Sequence, residues 1–267
     1  MERIILNADD FGKSIERNRA IDDSFKQGLI CSAGLIVTGK HLQEAVDYMK
    51  KGGYVEHIHL HMNLSTNLKK NMLLEDPDDT PLTEAMSRDS LFCENGKFSC
   101  FNGLPNRFSD IWRWRVVYRE LVAQYQRFIE VTEGKGNYKH IDFHLWYNLT
   151  WPVSVALYFF NRKYKIESFR FIGLHQMGFR RYRLLSWISR PLRVKYIPAT
   201  NIDYFLSKKQ SLNQYKTIEL YCHPNYKDGI FIDDSPSYLH HDIQPMLNQI
   251  QMLKVVGNIE FVSWEVV

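Results

Sequence analysis

Short apolar runs alternate with stretches of helical spacing along this chain, the pattern of a parallel α/β architecture. Residues 3–6 read as a first strand that runs into the polar Asn7-Ala8-Asp9-Asp10. A helix is predicted over 15–27, with Ser14 as its N-cap and Gly28 at its end. Residues 33–38 read as a second strand. Leu42, Ala45, Val46 and Met49 mark the next helix, closed by Gly52-Gly53. Residues 57–64 alternate strictly, with His57, His59, His61 and Asn63 on one face and Ile58, Leu60, Met62 and Leu64 on the other.

A long irregular region follows over about 65–110, with Pro77, Pro81 and Pro105, and reads as a lid or a decorated surface loop. Trp114, Val117, Tyr118, Leu121, Tyr125 and Phe128 then trace one helical stripe, expected to be core packing. Residues 140–144 form the next short strand, with His140, Asp142 and His144 on one face, and Pro152 can open the helix after it. Further strands are predicted over 168–172, 217–222 and 259–264. Pro245 should break or kink a helical stretch over 237–253.

Composition adds bounds. The chain has 267 residues, 45% of them hydrophobic and 24% charged, enough for one sizeable core. Its net charge of +4 is too small to imply nucleic acid. Neither a secretory leader nor a span of about 20 apolar residues is visible. Cys31, Cys93, Cys100 and Cys222 lack zinc-type spacing, so a cytoplasmic protein with reduced thiols is expected, a Cys93–Cys100 bridge being the alternative.

Residues suited to chemistry gather at predicted strand ends, where α/β folds place their sites: Asp9-Asp10, His59/His61, Asp142/His144 and Glu219/His223. Adjacent carboxylates in a dry site need a cation or a shared proton. If the chain turns after Asp9, one carboxylate can ligate a metal while the other accepts a proton. His-x-His on one strand face is a common metal arrangement, and Asp142 can ligate or orient a ligating histidine. His223 can protonate a leaving group. Together these point to a divalent-metal hydrolase.

Residues 169–196 are dense in arginine and aromatics, among them Arg170, Arg180, Arg181, Arg183, Trp187, Arg190 and Arg193. This stretch reads as a solvated basic surface or as a contact for an anionic partner, a phosphate-bearing sugar carrier or a membrane surface. Arg170, beside a strand, is placed nearest the site.

The same residues resemble the YdjC-like carbohydrate deacetylases, a family that includes chitooligosaccharide deacetylase, over nearly the whole chain. The opening Ile5-Leu6-Asn7-Ala8-Asp9-Asp10-Phe11-Gly12 is similar to the family signature. His59-Leu60-His61-Met62-Asn63-Leu64 resembles the strand bearing its first histidine ligand. The stretch 120–130 followed by His140-Ile141-Asp142-Phe143-His144 resembles its Glu-Leu…His-x-Asp-x-His block, and the run from Glu219 to His223-Pro224 its late Glu-x-x-x-His-Pro motif.

That resemblance implies a distorted (β/α) barrel, TIM-barrel-like, forming one domain over 1–267. It further implies one divalent ion, Mg2+ or Zn2+, on Asp10, His61 and His144, with Asp9 as general base and His223 as acid. The reaction implied is removal of an N-acetyl group from an amino sugar, by a homodimer. Asn7, His59, Asp142, Trp146, Arg170 and Glu219 are expected around the substrate or behind the ligands. The sequence departs from the family at Trp146 and Asn148, where further histidines are usual; Trp146 is a candidate stacking face for a sugar. The competing expectations are a two-metal phosphoesterase on a similar barrel and an inactive sugar-binding relative.

Overall fold

Residues 3–65, 79–99, 108–144, 150–172, 194–212, 215–234, 241–256 and 259–264 are described by the structure, a computed structural model. Strand β1 (Arg3–Phe11) leads to α1 (Ile15–Lys26), β2 (Ser32–Leu35), α2 (Leu42–Gly52) and β3 (Ile58–Met62). Ser14 caps α1 by accepting from the Arg17 N–H, and Gly28 follows in the left-handed region, as the sequence predicts.

The irregular stretch after β3 holds a short helix α3 (Glu84–Ser87) and a hairpin of β4 (Cys93–Glu94) and β5 (Lys97–Phe98). Met86, Phe92 and Phe98 are buried there, and Glu120 of the next helix accepts from the backbone of Leu82 and Thr83. This part of the stretch is therefore packed into the core. Residues 66–78 and 100–107 of the expected lid lie outside the described residues.

Helix α4 (Trp114–Val131), β6 (Asn137–Phe143), α5 (Trp151–Tyr164), β7 (Ser168–Ile172), β8 (Lys195–Asn201), α6 (Ile202–Leu212) and β9 (Thr217–Cys222) continue the alternation. A meander of β10 (Pro224–Lys227), β11 (Ile230–Asp233) and β12 (His241–Asp242) precedes α7 (Gln244–Val256) and β13 (Glu260–Phe261). Pro245 occupies the first turn of α7, where its missing N–H costs nothing. Among the described residues of the stretch 237–253, β12 gives way to a helix that begins at Gln244, so the expected break or kink at Pro245 is a helix start. Residues 237–240 lie outside the described residues.

The strands pair in the order β1-β2-β3-β6-β7-β8-β9, and β9 returns to β1, closing a parallel barrel. Strand β13 pairs beside the start of β1, at Arg3 and Ile4, below the point where β2 joins at Asn7. Alternation along each strand then sorts the side chains. Ile4, Leu6 and Ala8 of β1 and Ile58, Leu60 and Met62 of β3 join the large apolar layer shared with the helices. Ile5 instead packs with Ile197, Val262 and Trp264 in a second, small cluster. In the predicted stripe on α4, Val117, Leu121, Tyr125 and Phe128 are buried. Trp114 and Tyr118 are only partly buried and line a surface cleft, which corrects the expectation that the whole stripe is core.

Among the described residues no helix is long and apolar enough to cross a membrane. Cys31, Cys93 and Cys222 are free thiols; Cys100 lies outside the described residues.

Candidate metal centre

The barrel interior is polar where such interiors are usually filled by branched aliphatic side chains. His59, His61, His140, Asp142, Arg170 and Glu219 are each buried within it. Gly34 of β2 makes room, since a Cβ there would sit 3.0 Å from the His61 Cβ and 3.2 Å from the His59 Nε2.

At the end of β1 the chain turns sharply. Asp10 has φ of 68°, in the left-handed region, and the β1–β2 register slips between Ala8 and Phe11. Gly12 follows at φ 99°, its N–H donating to the Asn18 Oδ1 at 2.7 Å, so α1 pins the turn. The turn sends the two aspartates to different partners. Asp9 accepts from both Nη atoms of Arg170 at 2.6 Å and from the Asn7 Nδ2 at 2.8 Å. The Asp10 Oδ1 instead lies 2.6 Å from the His144 Nδ1 and 3.4 Å from the His61 Nε2.

Behind these groups, the His61 Nδ1 donates to the Asp142 Oδ1 at 2.6 Å, leaving Nε2 aimed at Asp10. Asp142 also meets the His59 Nε2 at 3.1 Å and the Arg170 Nη2 at 2.6 Å. The Arg170 Nε donates to Glu219 at 2.8 Å. One guanidinium therefore serves Asp9, Asp142 and Glu219, but not Asp10. Lys13, buried three residues after Asp10, brings its Nζ to 3.3 Å from the His144 Nε2 and 4.0 Å from the Asp10 Oδ2.

Electrostatics separate these groups. Burial pushes the Asp10 carboxyl up, but His144, Lys13 and His61 outweigh it and hold it well below the carboxylate range. Burial lowers His61, yet Asp142, Asp9 and Asp10 raise it to about 10. His144 is pushed down to about 4 by burial, which Asp10 only partly offsets and Lys13 reinforces. His144 is thus neutral near pH 7, the form that ligates metals, while the His61 position favours positive charge.

Glu219 differs: burial, with Asp142 and Asp9 nearby, lifts it to about 8 against the pull of Arg170, and its Oε2 has no hydrogen-bond partner. Between the ordinary value of 4.5 and 8 the folded chain keeps a proton that the unfolded chain releases, so this group destabilises the fold as pH rises through that window. Glu219→Gln is expected to flatten the fall in urea midpoint across this range. Parallel pH curves for variant and wild type would contradict it.

His223 sits just past β9, its Nε2 3.7 Å from the Asp9 Oδ2 and its Nδ1 3.7 Å from the Asp233 Oδ1. Its backbone N–H donates to Asp233 at 3.2 Å and its carbonyl accepts from the Asp234 N–H, so the β10–β11 hairpin fixes it. Burial lowers its pKa, but Asp233, Asp9 and Asp10 raise it overall.

The ligand atoms of Asp10, His61 and His144 lie within 4.8 Å of one another. The sets His59/His140/Asp142 and Asp9/His61/Asp142 are also close, but both depend on carboxylates that Arg170 already neutralises. One carboxylate and two imidazoles, with Asp142 fixing the ring of His61 from behind, fit a divalent cation.

The residues expected at the site thus converge, apart from Trp146, which with Asn148 and nearly all of the basic stretch lies outside the described residues. Sequence reading missed Lys13, Asp233 and the stacking of Trp264 on His140 at 3.3 Å, which floors the polar interior. Only Lys13 left a signal, as the one cation in the turn after Asp9-Asp10.

The family model for YdjC-like protein matches residues 3–253. This chain belongs to the YdjC-like family. It is 29% identical over 241 residues to carbohydrate deacetylase 2 of Listeria innocua serovar 6a, covering 87% of this chain and 84% of that one. It is 30% identical over 143 residues to a carbohydrate deacetylase of Danio rerio, covering 53% and 41%. Among solved structures, an Enterococcus faecalis V583 protein provisionally named for cellobiose-phosphate cleavage superposes with a TM-score of 0.71 at 17% identity, over 99% of this chain and 98% of that one. It confirms the barrel fold for this YdjC-like chain.

Proposed function

We propose that this protein is a divalent-metal-dependent carbohydrate deacetylase that hydrolyses the N-acetyl group of an amino sugar. The observation carrying this reading is the split of Asp9 and Asp10: one carboxylate joins two imidazoles, the other stands beside His223, whose pKa nearby carboxylates raise. The names of the Listeria and zebrafish relatives supply the substrate class.

Asp10, His61 and His144 would hold the ion, and two imidazoles with one carboxylate suit zinc better than magnesium. Bound there, the ion supplies Lewis acidity for the acetamide carbonyl and lowers the pKa of water. Asp9, held in one plane by Arg170 and Asn7, accepts a proton from the attacking water through an oxygen lone pair that these bonds leave open. His223 donates its Nε2 proton to the departing amine nitrogen as the C–N bond breaks. Arg170, Asp142 and Glu219 position these groups from behind. A two-metal phosphoesterase would need further ligands, yet the spare carboxylates Asp142 and Glu219 are both engaged by Arg170. A homodimer in the cytoplasm belongs to this same reading.

The test is acetate release over a panel of N-acetylated sugars and sugar carriers, with metal content measured alongside. No acetate from any member, with metal bound in full, would overturn the reading. His223 adds a pH signature. The acid must be protonated, so turnover is expected to fall as pH rises past a His223 pKa that lies above 6.5. His223→Gln should lower kcat by roughly 10²–10⁴-fold and remove that alkaline limb. An unchanged limb in the variant's pH–rate profile would assign the acid elsewhere.

A further inference from the structure

The outer surface of α4 and α5 carries a cleft of about 470 Å³ that shares no residue with the metal centre. Four of its lining side chains are the cations Arg115, Arg119, Arg162 and Lys163. The others are the aromatic rings of Trp114, Tyr118 and Phe159. Trp114 and Phe159 stack with centroids 4.5 Å apart and planes 21° from parallel, and the Arg115 guanidinium lies over the Trp114 ring at 5.3 Å.

No carboxylate lines this cleft. Helix α5 contains no Asp or Glu, and Glu120 of α4 is turned inward to Leu82 and Thr83. Among the described residues none of the four cations pairs with a carboxylate. The whole chain carries a net charge of only +4, so this one cleft concentrates as much positive charge as the entire sequence has in excess. Like charges gathered this way repel one another until an anion enters, and arginine forks match the planar oxygens of carboxylate and phosphate. The volume falls in the range of about 300–1,000 Å³ typical of small-ligand sites.

We propose that the α4/α5 cleft binds an acidic sugar chain. The apolar face of a sugar ring packs against the Trp114–Phe159 wall, while its carboxylate or phosphate is held by Arg119, Arg162 and their neighbours. A neutral chain would satisfy the rings and leave the cations unpaired; a bare anion would do the reverse. The site goes beyond the deacetylase reading and stands without it.

Titration calorimetry on the full chain tests this with trigalacturonate, maltotriose and inorganic phosphate as probes, and sedimentation with phosphatidylglycerol vesicles adds a fourth arm. Trigalacturonate is expected to bind and to weaken steeply as salt rises. Maltotriose, a neutral chain with no amino group for the metal centre to act on, and phosphate should each bind at least tenfold more weakly. Arg119→Ser with Arg162→Ser should lower trigalacturonate affinity at least tenfold while leaving metal content and acetate release intact, which separates this site from the metal centre. Trp114→Ala should also weaken binding; if it unfolds the protein, the surface arginine pair still decides. Absence of trigalacturonate binding, or equal affinity in the arginine double variant, overturns the proposal. Equally tight phosphate alone would mean a simple anion site, and vesicle binding without trigalacturonate binding would mean a bilayer contact; either result also overturns it.

Discussion

Asp10→Asn is expected to cost the protein its divalent metal and its acetate release together, whereas Asp9→Asn keeps the metal and loses turnover. The two residues are neighbours of identical chemistry, so only geometry can separate them. Asp10 stands at φ 68°, and that turn carries its carboxylate to His61 and His144. Asparagine tolerates the left-handed region, so Asp10→Asn removes the charge without adding the backbone strain that Asp10→Ala would bring. Removing the only carboxylate among the three proposed ligands should weaken metal binding by at least about 100-fold, more than the 10–100-fold typical of outer-shell changes.

Asp9 makes no contact with His144, and its oxygens face Arg170, Asn7 and His223. Asp9→Asn should therefore leave metal stoichiometry unchanged while kcat falls by roughly 10²–10⁴-fold, the usual reach of a general base. Metal analysis of the purified variants beside steady-state acetate release checks both. Full metal and full activity in both variants would remove the assignment.

Much of this site was legible from alternation alone, for a reason peculiar to its setting. In most half-buried strands the polar face meets water and the apolar face meets the core. Here His59 and His61 alternate with Ile58, Leu60 and Met62, yet all five are buried. The apolar set meets the helices and the polar set meets the barrel interior, so the same period of two marks a site rather than a surface. Strands β7 and β9 fell where expected for similar reasons, being short β-branched or aromatic runs between turn signals.

Other parts could not be read. Strand β8, Lys195–Asn201, mixes a proline with polar residues and has no clean period. The β10–β11 hairpin that fixes His223 is built from two strands of only four residues, and Asp233 reaches that histidine only through antiparallel pairing of Pro224 with Asp233. The residues by themselves divide Asp9 from Asp10 only if the chain turns there, because a single left-handed residue leaves no periodic trace; the division of roles comes from the family resemblance. Arg170 was expected near the site, but its service to three carboxylates depends on bringing β1, β6, β7 and β9 together, which no local pattern encodes.

Arg170→Met should be the most destabilising single substitution among the site residues. The side chain is buried, and its guanidinium contacts Asp9, Asp142 and Glu219, with the Tyr221 ring 5.5 Å from its centre. Its removal leaves those carboxylates in a dry interior with His61 as the remaining strongly held positive group. Breaking a buried ion pair from one side costs about 3–5 kcal/mol, a large part of the roughly 5–15 kcal/mol that stabilises a typical domain. Arg170→Lys should recover little, because an ammonium offers three donors from one point and cannot span both Asp9 oxygens and Glu219. Urea unfolding at neutral pH reads the loss directly. A double-mutant cycle sharpens it: adding Asp142→Asn, which deletes a carboxylate that Arg170 helps keep ionised, should return part of the stability lost with Arg170. Glu219→Gln should return little, because Glu219 already keeps its proton at neutral pH. If Arg170→Met stays within about 1 kcal/mol of wild type, near the mean cost of an ordinary substitution, then the guanidinium is not what holds these carboxylates together. If instead it is lost in proportion to the carboxylates it leaves behind, the polar barrel interior is one electrostatic unit, with Asp10 the carboxylate that unit leaves free for a metal.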